Sequence, residues 1–197
     1  MSHKIVTQTL TNEIQVKKSR FIATIDSVSN IGQASKFIVK QKEVYRDAGH
    51  HCFAYIIGPP NIPKTSACSD DGEPKGTAGK PILNVLNNGV IGDCIILVSR
   101  YFGGIKLGTG GLVSAYTAAA NKVYRAVRTK PFIQTLKCRI KCNFSQEQFI
   151  RHLLKQYNGD INECIYTNEL YMDISIPLDA KYALQEDSLK HKFFIIN

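Results

Sequence analysis

The chain has 197 residues, 44% of them hydrophobic, and carries 25 Lys and Arg against 16 Asp and Glu for a formal net charge of +9. That balance is ordinary for a globular protein, and no apolar run reaches the roughly 20 residues of a membrane span. The opening Met-Ser-His-Lys-Ile-Val-Thr-Gln lacks the apolar core of a secretory leader, so a cytoplasmic chain with its six cysteines reduced is expected.

Residues 4–10 alternate enough for a short strand. Phe21 to Val28 reads as a second, with Phe21, Ala23 and Ile25 on one face. Asn30 suits the cap of a helix over 31–43, where Ile31, Ala34, Phe37 and Ile38 recur at helical spacing. Cys52 to Ile57 is strand-like and is stopped by Gly58-Pro59-Pro60-Asn61. Residues 59–79 read as a long loop, and loops of that length are usually functional or disordered. Pro81 fits the first position of a helix running to Leu86. The unbroken apolar run Cys-Ile-Ile-Leu-Val within 93–99 predicts a central strand buried on both faces. Thr109 suits the cap of a helix to Arg128 with Leu112, Tyr116, Ala119, Val123 and Ala126 inward.

Pro131 breaks the chain. Beyond it come strand 137–143, helix 145–157, strands 161–166 and 170–176, helix 179–189 and strand 193–196. The order βαββαβ is the ferredoxin-like arrangement, and with the first part it makes an α+β protein. Domains of 1–133 and 134–197 are expected. The charge changes at the same place. Residues 1–136 carry 17 basic and 8 acidic side chains, whereas 137–197 carry 8 of each. An electrostatic partner would therefore meet the first domain.

Between Asp93 and Glu147 there is no acidic residue and there are nine basic ones. Within that stretch, Arg100-Tyr-Phe-Gly-Gly-Ile-Lys-Leu-Gly-Thr-Gly-Gly111 leads a glycine-dense loop into a helix. Glycines let a ligand approach the backbone, and the first amides of a helix are unpaired. With Arg100 and Lys106, the amides of Gly103, Gly104, Gly108, Gly110 and Gly111 suit a phosphate or a polyanion. Lys122, Arg125 and Arg128 follow at intervals of three and could extend the footprint. The second informative segment is Ser69-Asp-Asp-Gly-Glu-Pro-Lys-Gly-Thr-Ala-Gly-Lys-Pro81. Asp70, Asp71 and Glu73 could hold Mg²⁺, or could anchor Lys75, Lys80 or Arg100 and so shape the loop. Thr77, Gly76 and Gly79 precede the Pro81 helix and offer a second helix N-terminus to an anion. His50 and His51 open a strand and face opposite ways, so at most one lines a cleft. His51 and Lys75 complete the candidate contacts. Walker, GxGxxG, HExxH and GxSxG patterns are all absent, and nothing demands catalysis.

The segments Ser69 to Leu83 and Arg100 to Val113 resemble the YigZ/IMPACT family. Lys17-Lys-Ser-Arg-Phe-Ile22 and Gly49-His-His-Cys-Phe-Ala-Tyr55 are also similar, so the likeness covers about 15–130. It implies a first domain with the α/β fold of a small-subunit ribosomal protein and the GHMP kinases. It implies a second domain resembling the last domain of elongation factor G, and a link to translation. One departure is Leu112-Val-Ser-Ala-Tyr116, where family members usually have Leu-Val-Arg-Ala-Tyr, so that Ser114 removes a positive charge near the loop. The resulting expectation is a regulatory protein that binds RNA or a ribosome-associated factor. The alternatives are an enzyme or sensor for a small phosphorylated ligand, with Mg²⁺ as its cofactor, and a protein-interaction module.

Overall fold

A computed structural model describes residues 3–196. The chain divides into two compact units between Phe132 and Ile133. The strands of the first are β1 (Lys4–Val6), β2 (Leu10–Val16), β3 (Ser19–Ser27), β4 (His50–Ile57), β5 (Thr65–Ser69), β6 (Cys94–Tyr101) and β7 (Thr129–Pro131). Its helices are α1 (Ile31–Val44), α2 (Gly79–Asn87) and α3 (Gly108–Ala126). Five strands form one antiparallel sheet in the order β2-β3-β6-β4-β5.

The apolar run of β6 makes it the central strand, because only a strand covered on both faces can use five consecutive apolar side chains. Cys94, Ile96 and Val98 face α2 and α3, packing with Ile82, Leu86, Leu112, Tyr116 and Val123. Ile95 and Leu97 face α1, packing with Ala34 and Phe37. Each fully buried aliphatic side chain is worth about 1.5–3 kcal/mol. The Asn30 side chain accepts the Gln33 N–H at 2.9 Å and starts α1. A two-stranded ribbon of β1 and β7 ties the beginning of the unit to its end.

The second unit contains β8 (Thr135–Cys142), α4 (Glu147–Gln156), β9 (Asp160–Tyr166), β10 (Leu170–Pro177), α5 (Lys181–His191) and β11 (Phe194–Ile196). Its antiparallel sheet runs β11-β8-β10-β9. One face packs Cys138, Ile140, Cys142, Met172 and Ile174 against Ile150, Leu154 and Leu184 of the helices. The other carries the ion pairs of Arg139 with Asp173 and Lys141 with Glu169. All three sheets being antiparallel, α+β describes the chain.

Several boundaries differ from the sequence reading. The segment read as a 59–79 loop contains β5, an edge strand of small residues. The first strand, read as 4–10, is two strands, and β7 was not foreseen. α2 begins at Gly79, so Pro81 is its third residue. α3 begins at Gly108 with no side-chain cap, which puts Thr109 inside its first turn. Ala126, read as inward, is exposed.

Candidate anion-binding site

The alternation of β6 sends Arg100 to the α2/α3 side of the sheet, and there it is 6% exposed. Burial of a guanidinium demands a partner. Glu73, 8% exposed, supplies it through Oε1, 2.6 Å from Arg100 Nη1. The Tyr116 hydroxyl donates to the same oxygen at 2.8 Å. Cys52 closes the group, its thiol 2.9 Å from the Asp70 carbonyl and 3.3 Å from the Tyr116 oxygen. Burial pushes the Cys52 thiol up to about 12 and the Tyr116 phenol far above its usual range, so both stay neutral at pH 7. One cluster thus locks the 69–79 loop, β4, β6 and α3 together. The guanidinium also lies over Phe21 and Phe102, 5.5 and 5.6 Å from the ring centroids.

The three carboxylates of the 69–79 loop go to three different places. Asp70 accepts the amides of Gly76, Ala78 and Gly79 at 2.7, 3.0 and 2.8 Å. Burial raises its carboxyl, but the amides outweigh that and hold it below the usual carboxylate range. Asp71 meets Lys42 Nζ at 2.9 Å and the His51 amide at 2.7 Å, and Glu73 takes Arg100. Among the described residues no group of three His, Cys, Asp or Glu side chains is placed to hold a metal. The expectation that the α2 N-terminus receives an external anion is corrected: the Asp70 carboxylate already fills it.

α3 is the opposite case. It has no capping side chain and no acidic residue in its first turn. Counting from Leu107 at the cap, the amides of Gly108, Thr109 and Gly110 fall in the unpaired set. Gly104 and Gly108 have φ of +84° and +73°, and a Cβ on either, or on Gly110, would touch nothing within 4 Å. These three glycines leave open space beside the backbone. Two of the expected contacts do not. The Gly103 amide donates to Ser19 Oγ at 3.2 Å. Gly111, one place beyond the unpaired set, belongs to the helix ladder.

Lys106 and Lys75 are exposed, and among the described residues neither is within ion-pair distance of a carboxylate. Lys122, Arg125 and Arg128 stand apart from the loop. The 19 residues of α3 span about 27 Å; Lys122 and Arg125 are near its far end and Arg128 lies just beyond it. Lys122 reaches the Glu13 carbonyl of β2 at 2.9 Å, whereas Arg125 lines a groove of about 420 Å³ with Asn84, Asn88 and Asn121. Only a long ligand spans all of them. His51 faces α1, with its Nδ1 3.0 Å from Ser99 Oγ, and burial lowers its pKa. It is His50, paired in register with Arg100, that shares the Arg100 face. Ser114 is exposed in the second turn of α3.

Three features escaped the sequence reading. Tyr116 was read as apolar helix face, although a phenol in a core calls for a buried acceptor. Phe102 is 59% exposed beside Arg100. Lys17 and Lys18 form the β2–β3 turn against Gly103; the signal was a pair of residues between two alternating runs.

Known proteins match this chain, and the family profile spans the region of the site. The profile described as Impact N-terminal domain matches residues 17–124. The IMPACT family member YigZ of Escherichia coli (strain K12) is 36% identical over 163 residues, which is 83% of this chain and 80% of that protein. The IMPACT family member YvyE of Bacillus subtilis (strain 168) is 48% identical over 105 residues, 53% of this chain and 48% of its own. A crystal structure of a hypothetical protein superposes with a TM-score of 0.73 at 32% identity, covering 99% of this chain and 96% of its own.

Proposed function

Because the chain belongs to the IMPACT family, we propose that it is a cytoplasmic, translation-associated regulatory protein whose first unit binds RNA, free or on the ribosome. Translation is the process to which the family resemblance points. On this reading the first unit has the ribosomal-protein/GHMP-kinase fold, and the βαββαβ unit is the ferredoxin-like domain.

The observation that carries RNA binding is the state of Arg100. Its buried Nε has no acceptor among the described residues, and the one hydrogen bond its side chain makes to them is from Nη1 to Glu73. A desolvated donor without a partner costs about 1–3 kcal/mol, and such groups in native folds call for an explanation. The guanidinium nitrogen a phosphate oxygen would reach is Nη2, which is neither paired within the described residues nor sealed from solvent. That oxygen would meet Arg100 on a basic unit with the unfilled amides of α3 and the uncommitted Lys106. Asp70 on α2 illustrates how the same chain uses an anion at such a terminus.

The test is binding of labelled single-stranded RNA to the full chain between 50 and 200 mM salt. Each phosphate contact contributes about 0.7 to the log–log salt slope for single strands. Lys106→Ala should weaken binding to unrelated sequences alike and flatten the slope by about that amount. Asp179→Ala, in the charge-balanced second unit, is the control. A parent chain without salt-sensitive RNA binding overturns the reading in favour of a small phosphorylated ligand.

A further inference from the structure

The β2–β3 turn is built from the wrong residues for its shape. Val16 pairs with Ser19, leaving a two-residue loop of Lys17 and Lys18. Their φ angles are 44° and 65°. Two positive φ values in a two-residue hairpin loop define the type I′ turn, which favours Asn-Gly because a side chain at positive φ is strained. Both lysines are exposed, and neither reaches a carboxylate among the described residues. The turn closes the β2–β3 hairpin, whose twist a type I′ turn matches, but nothing in the described residues asks for lysine at either place. Lysines kept where Asn-Gly would relieve the strain point to a task outside the fold.

The position of the turn says what task. A Cβ on Gly103 would lie 2.0 Å from the Lys18 carbonyl carbon, so the glycine loop starts hard against the turn. The Gly103 amide on Ser19 Oγ fixes the contact. Phe102, the preceding residue, keeps 59% of its surface exposed, and Arg100 lies over its ring. The turn that carries the two lysines thus abuts Gly103, whose chain neighbour Phe102 is the exposed aromatic ring. Such a ring stacks on an unpaired base, and lysines beside it meet the adjoining phosphates. A base inside a duplex offers no free face.

We propose that the Lys17-Lys18 turn and Phe102 form a grip for single-stranded RNA, the lysines on phosphates and the ring on a base. The assignment rests on the RNA-binding reading of the first unit. It adds residues outside the Arg100 and glycine-loop set and names the strand state of the ligand.

The discriminating variant is Lys17→Asn/Lys18→Gly in the full chain. It installs the favoured turn and removes both charges, so the protein should melt at the same temperature or higher. Affinity for a fluorescein-labelled oligouridine should fall at least about tenfold at 100 mM salt, with the salt slope reduced by about 1.4, two contacts of about 0.7 each. Phe102→Ala should weaken the same probe by about 5- to 150-fold, the range of one lost stack. It should leave binding to a blunt RNA duplex unchanged. A turn variant that is stabler and binds as the parent does overturns the grip while leaving the RNA reading intact. A parent that binds no oligouridine or duplex in a salt-sensitive way overturns both. If polyglutamate binds the parent more tightly than oligouridine, and loses affinity in the turn variant, the turn docks an acidic protein and the RNA assignment is wrong.

Discussion

Replacing Glu73 by alanine isolates the buried pair that joins the 69–79 loop to the central strand. The carboxylate and the Arg100 guanidinium are 8% and 6% exposed and 2.6 Å apart. Removing the acid leaves a desolvated cation, and breaking such a pair costs about 3–5 kcal/mol. The Tyr116 hydroxyl, 2.8 Å from the same oxygen, loses its acceptor for a further 1–2 kcal/mol or so. The total is a large part of the roughly 5–15 kcal/mol that holds a domain folded. Glu73→Leu/Arg100→Met should recover much of the loss, since an apolar pair of similar size removes both charges together. The chain has no tryptophan, so urea unfolding is best followed by far-ultraviolet circular dichroism. Hydrogen exchange read peptide by peptide separates the two units. Protection should fall in β3, β4 and β6 and hold in β8 and β10. A loss below about 1 kcal/mol, the size of an exposed ion pair, would refute the reasoning, as would a double variant less stable than Glu73→Ala.

Asp70→Asn should cost about 2 kcal/mol at pH 7, because the new NH₂ faces the Gly76 or Gly79 amide, donor against donor. Asp70 has a folded pKa below its unfolded one, so its contribution is present above about pH 4 and lost as pH falls through the lower value. The gap between wild type and variant in urea midpoints should close on acidification; a constant gap from pH 7 to pH 2 counts against the assignment. Gly103→Ala puts a methyl 2.0 Å from Lys18 backbone and should destabilise the first unit by about 1–3 kcal/mol. Gly110→Ala meets open space and should stabilise it by about 0.5–1 kcal/mol while weakening RNA binding. Equal thermal shifts for the two glycines would show that their different surroundings do not matter.

What the sequence made legible followed from local rules. The run Cys94 to Val98 announced a strand covered on both faces, Asn30 announced a helix start, and adjacency in a strand separated His50 from His51. What stayed hidden depended on distant partners. Parity gives the face on which Arg100 lies, but its burial is decided by Glu73, 27 positions earlier. β5 hid because an edge strand needs few apolar residues, and Thr65–Ser69 has small ones. Thr109 has the chemistry of a cap, yet the positive φ of Gly108 turns the chain before it. Lys17 and Lys18 stood out in the sequence only as part of a family-like segment, because the Gly103 that packs against their turn is far along the chain.

The β1–β7 ribbon sets a condition on synthesis. Thr7 is hydrogen-bonded to Arg128, 121 positions later, and Phe132 to His3. Ser19 and Gly103 are 84 positions apart. A chain that leaves the ribosome at about 5–20 residues per second cannot join these ends until residue 132 has emerged. Until then Val6 has no β7 beside it and the Gly103 loop has no finished scaffold. The basic surface is therefore complete only late, after nearly the whole first unit has been translated. An emerging chain carries the charges, but it holds them in no fixed geometry.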